Sequence, residues 1–237
     1  KRFLIFDADL GLGNLDVLLG IAPRYNLAHV IRGEKQLEEI VIPGPGNLQI
    51  LPASSGVQAL TRLSHEQQFR VLKNLNHLIE DYDVFLIDTA AGISTNVLYF
   101  TASAQEIIVV VTPEPTSITD AYALMKVLSI KYQERHFKLI VNAVASVGEA
   151  EETYRQLNMV SSRFLDIEME YLGKVLLDEN VKRGVRCQTM VSELAPISCA
   201  SRDFAVLARV LEASAPPDLA VSGDYFFGKD ILKQIVE

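Results

Sequence analysis

The chain is short of cysteine, of basic charge and of long apolar runs, and each shortage removes a class of protein. Only two cysteines occur among its 237 residues, Cys187 and Cys199, and neither stands at metal-ligand spacing from any of the four histidines. Ordinary reduced thiols of a cytoplasmic protein are the expectation. Basic residues number 22 against 30 acidic ones, giving a net charge of −8 and a pI near 5.1. That balance argues against general nucleic-acid binding, and no direct nucleic-acid partner is expected, although a local basic patch stays open. No apolar run is long enough to span a bilayer, and neither a spanning helix nor a signal peptide is expected. Internal repeats are absent too. So is any G-x-x-x-x-G-K-[ST] phosphate loop within these 237 residues.

What is present is a core and an alternation. Hydrophobic residues make up 49% of the chain, enough for one large globular domain. Short apolar runs that end in a polar residue read as strands: 2–8, 48–53, 83–89, 106–113, 137–144 and 170–177. Ile107 to Val111 show no polar alternation, which predicts a parallel strand covered on both faces. Helical periods lie between these runs. Phe69, Leu72, Leu75, Leu78 and Ile79 share one stripe, with Ser64 and Gln67 spaced as a capping box. A second helix covers 116–132, with Thr116 or Ser117 as cap and Asp120 in its first turn. Two more follow in "EAEETYRQLNMVSSRFL" and "SRDFAVLARVLEA". The turn-rich segment 44–47, "GPGN", reads as a turn before the second strand. The fold class is therefore α/β, a three-layer, doubly wound and mostly parallel sheet. The domain covers 1–213, a Pro- and Ser-rich linker 214–223, and a terminal amphipathic helix 224–237.

The chemistry sits where strands end, because open α/β sheets bind ligands at their carboxyl edge. "FLIFDADLGLGNLD" delivers Asp7 and Asp9 there, "DVFLIDTAAG" delivers Asp88, and "KLIVNA" delivers Asn142. A carboxylate closing an apolar strand has the form of a Walker B magnesium residue. The plainer alternative is that such aspartates cap the next helix, and Asn14 reads equally well as a simple N-cap. The four histidines are scattered, and read as solvated or capping. Aromatic residues within helices read as core. Without a lysine-bearing phosphate loop, the residues alone amount to half a nucleotide site.

The stretches "DADLGLGNLDVLLG", "ILPASSGVQ", "DVFLIDTAAGIS", "EPTSITDAYALMK" and "RFLDIEMEYLGKV" resemble the MinD/ParA class of deviant Walker ATPases. Within it they resemble the FlhG (FleN) branch, which regulates flagellar number. The likeness runs from Lys1 to Ala213. It implies a P-loop NTPase-like fold whose first βα unit, the one with the phosphate loop, is absent from this chain.

The resemblance also implies roles and partners. Asp9 would orient the attacking water, helped by Asn14; Asp7 and Asp88 would serve the magnesium ion. Thr89 to Gly92 would face the γ-phosphate. Asn142 would read the adenine, with Leu177 and Asp178 in the "LLDEN" loop on its far side. A proline is common in the family where Leu177 stands, which weakens that contact. Pro113, Glu114 and Thr116 would line a dimer face beside the nucleotide. The implied cofactors are ATP and Mg²⁺. The implied partners are a second copy on ATP binding, an FlhF-like GTPase, and a flagellar transcription activator or switch-complex component. The implied activity is slow ATP hydrolysis by the intact protein, with no turnover expected from these 237 residues without a phosphate loop. A catalytically inactive binding module of the same fold and a cell-division MinD are the alternatives, with a dethiobiotin synthetase-like ligase as a more distant one. Phe226, Phe227, Ile231, Leu232, Ile235 and Val236 form one apolar face of the terminal helix, suited to lying at the inner surface of the cell membrane. Packing of that face onto the protein stays open as the other reading.

Overall fold

The computed structural model describes residues 1–53 and 64–214. The chain divides into two compact units, Lys1–Ala104 and a second that begins at Gln105. Residues 54–63 and 215–237 lie outside the described residues, and with them the expected terminal helix 224–237 and all of the expected linker 214–223 but Ser214.

The first unit contains β1 (Phe3–Asp7), α1 (Leu15–Leu18), α2 (Leu27–Ile31), β2 (Ile42–Pro43), β3 (Leu48–Leu51), α3 (His65–Ile79), β4 (Val84–Asp88) and α4 (Thr95–Ala102). Its sheet runs β2-β3-β1-β4, with β1 parallel to β3 and β4 and only β2 antiparallel. Central β1 anchors the core. Leu4 and Phe6 are fully buried, and Phe6 meets Phe100 of α4 edge-on at 5.3 Å. Val71, Leu75, Leu78 and Ile79 of α3 close the same cluster. Each such side chain contributes about 1.5–3 kcal/mol. The side chains of Phe69 and Leu72 lie outside the described ones. Ser64 and Gln67 form the expected reciprocal box. Residues 44–47 do turn before β3, closed by the Gly44 N–H donating to the Leu48 carbonyl at 2.8 Å. The strand on the other side of that turn, β2, escaped the sequence reading because two residues carry no period.

The second unit contains β5 (Ile108–Val111), α5 (Pro115–Tyr132), β6 (His136–Val144), α6 (Val147–Leu165), β7 (Glu168–Leu176), α7 (Glu179–Cys187), α8 (Val191–Leu194) and α9 (Cys199–Ala213). Its sheet is all parallel, in the order β5-β6-β7. Phe137, Leu139 and Val141 of β6 are buried, as are Met125 and Leu128 of α5. A separate cluster joins Leu172 and Val175 of β7 to Ala200 and Leu207 of α9.

Three readings need correction. Helix α5 begins at Pro115 with Glu114 at the cap position, not at Thr116 or Ser117. Proline suits the first helical position, where its missing N–H costs nothing. The Ser117 hydroxyl instead accepts from the Thr112 N–H at 3.0 Å, and Asp120 falls beyond the first turn. Next, the strands next to α5 and α4 are not covered on both faces: Val110 is 58% exposed and Leu86 43%. Both lie on β5 and β4, which end their respective sheets, and the face that carries Val110 is left largely open while Val109 and Val111 on the other face are buried. Finally, Phe164 of α6 and Phe204 of α9 are exposed rather than core. His29 does cap, completing a box with Asn26.

One half-buried ion pair fastens α9 to β7. Lys174 donates to Asp203, whose other oxygen accepts from the Leu176 N–H at 2.9 Å. Replacing Asp203 by alanine strands the lysine charge and frees a strand N–H. A loss of about 3 kcal/mol is expected, read as a lower urea midpoint at unchanged slope.

Candidate functional site

In the first unit, parallel pairing sets Asp7 directly beside Asp88, the last residues of β1 and β4. Adjacent strands hold such Cα atoms about 4.8 Å apart. Asp7 is buried, with 4% of its surface exposed. One of its oxygens accepts from the Asp9 N–H at 3.2 Å, and the other from the Leu15 N–H at 3.4 Å. Burial pushes its carboxyl up to about 6, with the charges of Asp88 and Asp9 adding to the rise. Desolvation also raises Asp88, and the Asp9 charge assists. Asp88 is the more exposed of the two, and two neighbouring carboxylates whose ionisation is disfavoured are a candidate place for a cation.

The loop after β1 wraps this pair. Asp9 Oδ1 accepts from the N–H groups of Gly11 at 3.2 Å and Leu12 at 2.9 Å, so the carboxylate shapes its own loop. Gly13 packs against Asp7 so closely that a Cβ there would stand 2.7 Å from Asp7 Oδ2 and from Ala53 Cβ. Asn14 occupies the cap position of α1, but its side chain makes no cap hydrogen bond and is exposed. After β4, Thr89 leads to Gly92, which adopts φ +97°, a conformation that suits glycine. The Ser94 hydroxyl then caps α4 by accepting from the Val97 N–H.

The second unit assembles a second group at the carboxyl edge of its own sheet. Pro113 and Glu114 follow β5. A hydrogen bond from the Thr112 side chain holds the Glu114 carboxyl below its usual range. Asn142 lies near the end of β6, and Leu177, 56% exposed, follows β7. Asp178 caps α7, accepting from the Asn180 N–H at 2.9 Å. Its other oxygen accepts from the Ala200 N–H at 3.1 Å and the Cys199 thiol at 3.2 Å. These bonds, the one from Asn180 foremost, hold its carboxyl well below the usual range, and Asp178 in turn pushes the Cys199 thiol up. The Asp178 carboxylate is thus committed to joining α7 and α9. That link spans 22 residues of sequence, and sequence reading missed it, as it missed Gly13.

The residues fit a hard cation that retains waters and takes ligands from a nucleotide, since magnesium needs only one or two protein carboxylates. Among the described residues no three His, Cys, Asp or Glu side chains form a cage of their own. No helix among them is long and apolar enough to cross a membrane.

The fold is that of the MinD/ParA class of P-loop ATPases. It overlays MinD of Pyrococcus horikoshii, solved with Mg-ADP, at a TM-score of 0.74 and 22% identity, covering 90% of this chain and 84% of that one. No family model matches the chain. It is, however, 40% identical over 213 residues to the antiactivator FleN of Pseudomonas aeruginosa, spanning 90% of this chain and 76% of that protein. It is 33% identical over 208 residues to the flagellum site-determining protein YlxH of Helicobacter pylori, spanning 87% and 70%. The chain belongs to the FleN (FlhG) family of MinD-like flagellar regulators.

Asp7 supplies a pH test. Its folded pKa of about 6 lies above the ordinary 3.8, so the folded state holds a proton that the unfolded chain has released. Stability should therefore fall as pH rises from about 4 to 6. Asp7→Asn removes the charge and should stabilise the magnesium-free protein above pH 6 by about 1–2 kcal/mol, after discounting for solvent. The gain should vanish below pH 4. Thermal melts from pH 3.5 to 8 check this, and a gain independent of pH would show that Asp7 is not the group responsible.

Proposed function

We propose that the protein is an ATP-dependent dimerising regulator of flagellar number and placement, with slow ATP hydrolysis. The observation that carries this reading is the registered Asp7–Asp88 pair under a loop held by Asp9, in a chain 40% identical to FleN. Mg²⁺ bound there would neutralise nucleotide phosphate charge, with Asp7 and Asp88 as its protein ligands. Asp9 would orient the attacking water, with Asn14 beside it. Thr89 and Gly92 would approach the terminal phosphate. Asn142, Leu177 and Asp178 would frame the adenine, Asp178 through its hold on the loop. Pro113 and Glu114 would face the second protomer.

A dimerisation switch works through a difference in nucleotide affinity between the two association states. The protein would act in the cytoplasm, with an FlhF-like GTPase and a flagellar transcription activator or switch-complex component as partners. Residues 224–237 would mediate peripheral contact with the membrane. The test is light scattering of the natural full-length protein with ATP, ADP or no nucleotide, alongside phosphate release. A dimer only with ATP, and turnover that needs magnesium, is the expected result. ATP binding and dimerisation without turnover would favour the inactive binding module, and a monomer throughout would remove the switch.

A further inference from the structure

Strand β6 contains a local defect where its functional residue stands. Phe137, Leu139 and Val141 are buried in strict alternation, which should continue at Ala143. Instead Val144 is fully buried. The pairing with β7 gives the same count. Val141 pairs with Lys174 and Val144 with Leu176, so β6 advances three residues while β7 advances two. One extra residue is inserted at Asn142–Ala143, a β-bulge.

The bulge is strained. Ala143 adopts φ +55°, the left-handed region that crowds a Cβ against its own carbonyl. It is also isolated. The ladder with β5 ends at Val141, and neither Asn142 nor Ala143 is registered opposite a residue of β7. The sheet resumes directly beyond, where the Leu177 N–H donates to the Val144 carbonyl at 2.8 Å. A second irregularity compensates the first. Between Leu139 and Ile140 the partner advances from Tyr171 to Gly173, placing the extra residue in β7, with Gly173 at φ +145°. The strands enter and leave the distorted stretch with the same offset. The surrounding sheet therefore contains the distortion, which serves one short segment, and that segment holds Asn142. Strain that persists inside regular pairing concentrates at sites that must aim a group.

We propose that Ala143 is a positioning residue: its left-handed backbone breaks the strand directly after Asn142, leaving Asn142 outside the ladder at the sheet's carboxyl edge, where its amide is free to meet a purine base. This rests on the reading of Asn142 as the base-recognising residue. A carboxamide presents a donor and an acceptor together, which suits adenine, whose edge offers both. With the ladder continued through Ala143, the Asn142 backbone would be paired like the residues before it.

The experiment measures affinity of the natural full-length protein for fluorescently labelled ATP and GTP, together with melting midpoints. Ala143→Gly and Ala143→Asn accept the left-handed conformation and should keep the ATP preference, with the glycine variant melting higher than the parent. Ala143→Val, β-branched, cannot hold it and should lose the preference by about ten-fold or more, as Asn142→Ala should. Retained preference in Ala143→Val with loss in Asn142→Ala overturns the positioning role and leaves base reading intact. Unchanged preference in Asn142→Ala removes base reading and the positioning role with it. Should the valine variant fail to fold, the glycine variant still decides: a lower midpoint or a lost ATP preference overturns the proposal.

Discussion

Asp9→Ala in the full-length protein is expected to reduce ATP turnover by about two to three orders of magnitude while ATP-dependent dimerisation survives. The expectation follows from separating two tasks at one edge. Asp7 and Asp88, registered side by side, are suited to hold a cation and hence to govern binding. Asp9 lies beyond the strand and is only half-buried, and under the proposed function it acts on water rather than on the metal. Its Oδ1 also accepts from the Gly11 and Leu12 N–H groups, so alanine removes a loop restraint as well as a charge. Asp9→Asn resolves the ambiguity, because an amide oxygen can accept the same two hydrogen bonds without the charge. Equal loss of turnover in both variants assigns the effect to the carboxylate. Normal turnover in Asp9→Asn would reduce Asp9 to a loop-shaping residue. Loss of ATP binding in either would mean that its role has been exchanged with that of Asp7 or Asp88.

Local features of this molecule were legible in its sequence, and features that depend on distant chain were not. Strands β1 and β4 read directly from apolar runs closed by aspartate. The Ser64–Gln67 box read correctly because its two partners are three residues apart. The start of α5 misled because "EPTS" offers both a capping hydroxyl and a proline. The structure prefers the proline and turns Ser117 back toward Thr112. The position of Asp178 was legible but not its bonds, since its cap of α7 is local and its hold on Ala200 is not. Gly13 carried no signal at all. Its role arises from a close approach to Asp7 that appears only when the loop folds back on the strand. Alanine at 143 is equally silent, because a bulge usually announces itself through glycine. Carboxylates at strand ends were therefore easy to find, while the residues that aim and enclose them needed coordinates.

ATP is expected to move the full-length protein onto anionic liposomes, ADP is expected not to, and Phe227→Glu with Ile231→Glu should abolish the difference. Proline at 216 and 217 fixes φ and lacks a donor, a sequence signal for the end of a helix. Under the proposed reading, segment 224–237 would dock on the protein in one state and on lipid in another. Phe226, Phe227, Ile231, Leu232, Ile235 and Val236 would give it an apolar face if helical, and each large side chain contributes about 1.5–3 kcal/mol when buried. That suffices for the protein surface or the lipid interface to serve as the docking site. Charge sets how firmly lipid can hold a single copy. Lys229 and Lys233 stand against Asp224, Asp230 and Glu237, a net of 2 − 3 = −1, so anionic lipid offers no electrostatic gain. One tail should therefore bind weakly. Two tails on one ATP dimer bind with the second at high effective concentration, which multiplies the affinity by about 10²–10⁴ without a new contact. Membrane association then follows the nucleotide because it follows the dimer. Co-sedimentation with ATP, ADP and the double variant measures each step. Equal pelleting with both nucleotides would break the link to the switch, and undiminished pelleting of the double variant would show that another part of the protein meets the lipid.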